Sequence, residues 1–81
     1  METESVSRVT SLIASALGLP PGSVTEEDTI DKFPEWDSLG HLNILTALEK
    51  RFGVQVVRIA GLAKATSVKT IITLLETHHV I

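Results

Sequence analysis

The sequence contains no cysteine, so neither a disulfide nor a thiolate metal site can stabilise the fold. It also lacks tyrosine, and its aromatic residues are Phe33, Trp36 and Phe52. The hydrophobic fraction of 43% is therefore mostly aliphatic, which favours helices packed through Leu, Ile, Val and Ala. With 81 residues, the chain is predicted to form one domain that spans residues 1–81.

The sequence has no basic excess and no long apolar run. Its formal net charge of −3 argues against a nucleic-acid partner. No stretch is long enough to span a membrane, and the acidic, polar residues 1–5 do not resemble a signal peptide, so we expect a cytoplasmic protein. Acidic side chains outnumber basic ones six to one over residues 26–37, and basic ones dominate five to one from residue 50 onward. This asymmetry is compatible with an ordinary solvated surface or with patches that dock partners.

Hydrophobic periodicity predicts helices over about 4–17 and 38–52, and a last helix that begins after Thr66 or Ser67 and frays near residues 78–79. A short third helix is predicted near residues 58–63. The residues predicted to face the core are Val6, Val9, Ile13, Ala16 and Leu17 in the first helix, with Leu12 at the edge; Leu42, Leu45, Leu48 and Phe52 in the second, with Ile44 beside them; and Val68, Ile71, Ile72 and Leu75 in the last.

A long connection, residues 19–37, separates the first two predicted helices. Three prolines and Gly22 interrupt regular structure there, and long loops of this kind are often functional. The apolar residues that could hold the loop on the core are Val24, Ile30, Phe33 and Trp36. The predicted fold is all-α: a small antiparallel four-helix bundle with a short third helix and a long loop between helices 1 and 2.

The candidate site is Ser38, which follows Asp37 at the start of the second helix. Asp37 is a suitable N-cap, and a phosphate on Ser38 would be favoured by the helix dipole and the free N–H groups of the first turn. An Asp-Ser pair is also common capping chemistry, so the pair alone does not identify a site. His41, one turn later, raises the alternative of a Ser–His hydrolase, but with no evident oxyanion site a surface histidine is favoured. His78 and His79 suit a helix end, and no metal site is predicted.

The wider pattern resembles the acyl carrier protein family, including its peptidyl carriers. The most specific stretch runs over residues 36–45, from Trp36-Asp37-Ser38-Leu39 onward, followed by Ala47-Leu48-Glu49 and Phe52-Gly53. The end of the first helix at Leu17-Gly18 and the start of the last at Thr66-Ser67-Val68 complete a resemblance that covers nearly the whole chain.

The resemblance implies a monomeric carrier, not an enzyme, whose 4′-phosphopantetheine is attached to Ser38 by a phosphopantetheinyl transferase. The thiol of this arm would carry acyl groups as thioesters, which explains how a chain without cysteine could handle them. The other implied partners are acyl- or aminoacyl-loading and acyl-transfer enzymes. The residues implied to contact partners are Asp37, as helix cap and transferase docking point, and Leu39, Leu42, Thr46 and Glu49.

The chain departs from many fatty-acid carriers in its charge. Gly40 and Asn43 stand where the family often has acids, Lys50-Arg51 follows Glu49, and the third-helix region has bases and no acid. Because complementary charge steers association, we expect weak docking to general fatty-acid enzymes and a role in a specialised fatty-acid, lipid or polyketide-type pathway. The alternatives are a housekeeping fatty-acid carrier, an aminoacyl or peptidyl carrier of a nonribosomal pathway, and an unmodified helical interaction module.

The cargo itself is left open by the sequence. A chain-binding space between the helices is the expected place for it. The residues predicted to line that space are Ile44, Leu45, Val57, Ile59, Leu62 and Ile72.

Overall fold

The structure, a computed structural model, describes residues 2–81 and is all-α over that range, as predicted. Its α-helices are α1 (Glu2–Ala16), α2 (Ser38–Phe52) and α3 (Val68–Thr77). Short 3₁₀ helices span Ile30–Lys32, Val54–Arg58 and Leu62–Lys64. The described residues contain no strand, and one isolated antiparallel bridge joins Thr29 to Ser67.

Helix α1 packs against both α2 and α3 and ends as the sequence predicts. Gly18 takes a left-handed conformation with φ of 74°, and its N–H donates to the carbonyl of Ser15. The N–H of Leu19 donates to the carbonyl of Ala14 at 2.8 Å, which completes a Schellman-type end. Ala14 is buried and Ala16 only half-buried, so the core-facing stripe is rotated slightly from its predicted position.

The core-facing stripe of α2 differs from the predicted one. Leu42, expected inside, is 57% exposed, whereas His41, Ile44 and Leu48 are buried. These three residues follow helical spacing, but a stripe traced through apolar residues alone passes over the histidine. The predicted stripe was therefore displaced toward the exposed side of the helix.

The predicted third α-helix near residues 58–63 is wrong. The chain instead forms the 3₁₀ helices Val54–Arg58 and Leu62–Lys64, interrupted at Gly61, where φ is 89°. The four-helix bundle expected from the sequence therefore has three α-helices within the described residues. The buried residues of the connecting segment are Val56, Ile59, Leu62 and Ala65. Their spacing of three residues matches the three residues per turn of a 3₁₀ helix.

The core joins all of these elements and includes the loop before α2. As predicted, Val24, Phe33 and Trp36 are buried. Ile30 is partly buried and packs against the core that contains them. Among the described residues, the largest fully buried side chains are Val9, Ile13, Ile44, Leu48, Val56, Leu62, Val68, Ile71 and Leu75. Burial of this aliphatic set supplies the main stabilisation of a domain without cross-links.

The long loop is also attached to the start of α3 through its backbone. The N–H of Ile30 donates to the carbonyl of Thr66 at 2.8 Å, and the N–H of Val68 donates to the carbonyl of Asp28 at 3.0 Å. Ser67 caps α3, since its hydroxyl accepts the N–H of Thr70 at 3.1 Å. The helix ends at Thr77, before the two histidines, as expected.

Asp28 is the buried acid of this loop. Its carboxylate accepts the N–H of Thr25 at 2.8 Å and the ammonium of Lys32 at 3.0 Å. Burial by itself raises the pKa of Asp28, but the hydrogen bonds from Thr25 and Lys32 and the charge of Lys32 outweigh burial, so the pKa lies below its usual value. The turn of the loop that contacts the start of α3 is therefore closed around the ionised carboxylate of Asp28.

We predict that Asp28→Asn destabilises the protein by about 1–2 kcal/mol near neutral pH, because it removes a charge-assisted bond. Since the folded pKa is the lower one, the ionised group stabilises the fold above the unfolded pKa, and this contribution is lost as the pH falls through the folded pKa. Urea unfolding at a series of pH values checks both statements. Between about pH 5 and pH 2 the free energy of unfolding should fall more steeply for the wild type than for the variant.

The matched control is Asp31→Asn, which changes an exposed acid of the same loop. It should keep the pH dependence of the wild type. Parallel pH profiles for the wild type and Asp28→Asn would contradict the role given to Asp28.

Candidate functional site

Ser38 is the first residue of α2, and its side chain is exposed. Asp37 occupies the N-cap position predicted from the sequence, and its Oδ1 accepts the N–H of Gly40 at 2.8 Å. The N–H of His41 donates to the carbonyl of Asp37 at 2.8 Å and begins the helical ladder. Because Asp37 performs the capping, the Ser38 hydroxyl is left available at the positive end of the helix.

Gly40 lies where the first turn of α2 approaches the end of the loop. A Cβ atom at this position would collide with the carbonyl oxygen of Glu35 and lie 2.9 Å from Cδ2 of Leu17. In the sequence, Gly40 is notable only as a position where the acyl carrier family often has an acid. The structure gives a steric reason for glycine, since any side chain would push the loop away from Ser38.

His41 is buried, and both of its ring nitrogens have partners. The indole N–H of Trp36 donates to Nδ1 at 3.0 Å, and Nε2 lies 3.0 Å from the carbonyl oxygen of Leu62. An indole N–H can only donate, so Nδ1 must accept, and the proton on Nε2 is donated to Leu62. The two rings are nearly parallel, at an interplanar angle of 10°.

The interpretation of His41 as a surface histidine is therefore wrong. The burial is tolerable because both nitrogens are paired, and the carbonyl partner lies 21 residues along the chain, beyond the reach of local spacing. The same geometry removes the Ser–His hydrolase alternative, because neither nitrogen of His41 is free to act as a base for Ser38.

An open groove of about 620 Å³ lies beside Ser38, between the first half of α2 and the segment 63–66. Its lining residues are Ile30, Asp37, Ser38, His41, Leu42, Leu45, Ala63, Lys64, Ala65 and Thr66. Leu42 is thus exposed because it borders this groove. The lining combines an apolar floor with polar groups near Ser38.

The predicted partner contacts lie along one side of α2. Leu39 is 67% exposed and Leu42 57%, and Thr46 is exposed as well. Glu49 is half-buried. Residues 39, 42, 46 and 49 follow the spacing of neighbours on a helix surface, which places two large apolar side chains next to Ser38.

Most residues predicted to line a chain-binding space lie together in the packed core, with Leu45 against it. Ile44, Ile59, Leu62 and Ile72 are buried in the core, Leu45 lines the groove, and Val57 is 53% exposed. Sequence reasoning also missed Lys64 and Thr66 as residues close to Ser38, because local spacing does not show which distant segment packs beside α2.

His78 and His79 are exposed at the end of α3. In the part of the chain that the structure describes, no group of three or more His, Cys, Asp or Glu residues could hold a metal ion. None of the helices within residues 2–81 has the length and apolarity needed to cross a membrane.

These observations define a class: a helical domain that presents a serine hydroxyl at a helix start, beside a groove, while the nearby His41 is held by its own two hydrogen bonds. A family model described as the phosphopantetheine attachment site matches residues 7–75. The chain therefore belongs to this family, whose members are carriers rather than enzymes and bind 4′-phosphopantetheine covalently. No match was found among curated proteins or among solved structures.

We predict that Gly40→Ala lowers the free energy of unfolding by about 1–3 kcal/mol, because the added methyl group displaces Glu35 or Leu17. Urea unfolding of the variant and the wild type measures the difference. Asn43→Ala, at an exposed position one turn later in the same helix, is the matched control and should change stability little. A Gly40→Ala variant as stable as the control would show that the close approach of loop and helix is not required.

Proposed function

We propose that Ser38 is the residue to which 4′-phosphopantetheine is attached, and that the protein carries acyl intermediates as thioesters on this arm. The observation that carries the proposal is the exposure of Ser38 at the first turn of α2, with Asp37 doing the capping beside it. The family match supports it, since the match includes this turn and implies a covalently bound arm.

The residues around Ser38 fit the arm. The first turn of α2 offers free N–H groups and the positive end of a dipole to a phosphate on Ser38 Oγ. Lys64 brings a cation to the groove, and Leu42 and Leu45 provide apolar surface for a carbon chain. The arm supplies the thiol that a sequence without cysteine lacks.

The protein's own part in loading is limited. Ser38 Oγ is the nucleophile: it bonds to the pantetheine-side phosphorus of coenzyme A as the pyrophosphate bond breaks, and adenosine 3′,5′-bisphosphate leaves. The transferase must supply the metal ion. It must also supply the base that takes the Ser38 proton, since His41 is held by Trp36 and Leu62. Once loaded, the carrier acts by tethering, which raises the concentration of cargo at a docked enzyme.

Partner enzymes are proposed to dock on the side of α2 that carries Leu39, Leu42, Thr46 and Glu49, with Asp37 facing the transferase. Glu49 is the lone acid between residues 38 and 75, and it is half-buried. Exposed bases therefore dominate this part of the sequence: Lys50, Arg51, Arg58, Lys64 and Lys69.

This charge supports a carrier of a specialised pathway, because basic docking sites on general fatty-acid enzymes would be repelled. Comparison of this chain with a fatty-acid carrier as substrate for ordinary fatty-acid elongation enzymes tests the specialisation. Turnover at the rate of that carrier would contradict it.

The attachment itself is tested by intact mass. Co-expression with a broad-specificity phosphopantetheinyl transferase should add the mass of one 4′-phosphopantetheine to the wild type, and none to Ser38→Ala. Ser15→Ala, which changes an exposed serine of α1, is the matched control and should be modified like the wild type. An unmodified wild type would instead support a helical interaction module, and modification that persists in Ser38→Ala would place the arm elsewhere.

A further inference from the structure

A polar bridge lies beside the groove next to Ser38, whose lining also includes Leu45 and the core residue Ala65. His41 borders the groove, and its Nε2–H donates to the carbonyl of Leu62 on the opposite side. The bridge is held from the loop as well, through the indole N–H of Trp36. The Ile44 and Leu62 side chains are 0% and 1% exposed and do not line the groove.

An aliphatic chain that entered the core between α2 and residue 62 would have to separate His41 from Leu62. The imidazole N–H of His41 would then lose its partner, whereas the Leu62 carbonyl would keep the N–H of Ala65 at 3.2 Å. An unpaired buried N–H costs more than burial of one methylene gains. Among the described residues, every buried side-chain nitrogen and oxygen has a hydrogen-bond partner, so the intact bridge carries no such cost. More than one methylene would have to be buried merely to offset its opening.

The groove itself suits a different kind of cargo. It is open to solvent and places Asp37, Lys64 and Thr66 near the apolar surface of Leu42 and Leu45. A short acyl group, or one with polar substituents, could rest there without disturbing the core. A long saturated chain would keep much of its surface in water.

We propose that this carrier holds its cargo in the open groove and excludes it from the core, that His41 is the residue that determines this, and that the cargo is therefore short or polar rather than a long aliphatic chain. This inference rests on the proposed attachment of the arm to Ser38. His41 acts here as a positioning residue, because it works through Leu62 and Trp36.

The test loads the full chain with acetyl, butyryl, hexanoyl and octanoyl arms, using the corresponding acyl-coenzyme A donors and a broad-specificity transferase. Intact mass confirms each loading before any other measurement. The readouts are the Tm and the methyl NMR signals of Ile44, Ile71 and Leu42.

For the wild type we expect Tm values that agree within about 2 °C across the series, unchanged signals of Ile44 and Ile71, and shifts at Leu42. A Tm that rises with each added pair of methylenes, together with shifts at Ile44 and Ile71, would overturn the proposal. Absence of loading would show in the masses and would count against attachment at Ser38, and with it against this inference.

Two variants separate the role of His41 from a general effect of packing. His41→Leu replaces the bridge by an apolar side chain, so its Tm should rise with chain length. His41→Gln can still accept from Trp36 and donate to Leu62, so it should behave like the wild type. A His41→Leu series as flat as the wild type would overturn the role of His41, and if that variant does not fold, the wild-type and His41→Gln series decide.

Discussion

The structure depends on one imidazole with two hydrogen-bond partners. His41 accepts from Trp36 of the loop and donates to Leu62 of the 3₁₀ segment, so a single side chain of α2 joins the three parts of the molecule that surround the site. If only one of these two hydrogen bonds formed, the other ring nitrogen of His41 would be buried without a partner. The two bonds therefore stabilise the structure cooperatively. Trp36 and His41 also lie on either side of Asp37 and Ser38 in the sequence, so the serine is held in place from both directions.

This arrangement gives a carrier what its task requires. The attachment residue must be fixed relative to the fold, and its hydroxyl must be free for a partner enzyme. Asp37 takes over the capping, and the tight contact between Gly40 and Glu35 fixes the entry of the loop. The exposed Leu39 and Leu42 then present an apolar surface next to Ser38, which is the surface proposed to dock partner enzymes.

Much of this could be predicted from the sequence, because it depends on local chemistry. Periodicity and end signals located α1, α2 and α3, and the Asp37-Ser38 pair marked the turn that now carries the proposed attachment. The incorrect predictions concern features that depend on contacts between residues distant in the sequence. The burial of His41 depends on a carbonyl 21 residues away, and the exposure of Leu42 follows from it. The short third helix predicted near residues 58–63 is wrong because the buried positions 56, 59, 62 and 65 repeat every three residues, which matches 3₁₀ turns.

The bridge through His41 is the central claim, and nitrogen NMR of the His41 imidazole tests it most directly. In both the unmodified and the phosphopantetheinylated protein, the spectrum should show a proton on Nε2, an unprotonated Nδ1, and a scalar coupling across the hydrogen bond between Trp36 Nε1 and His41 Nδ1. A proton on Nδ1, or the absence of that coupling in a folded protein, would contradict the account.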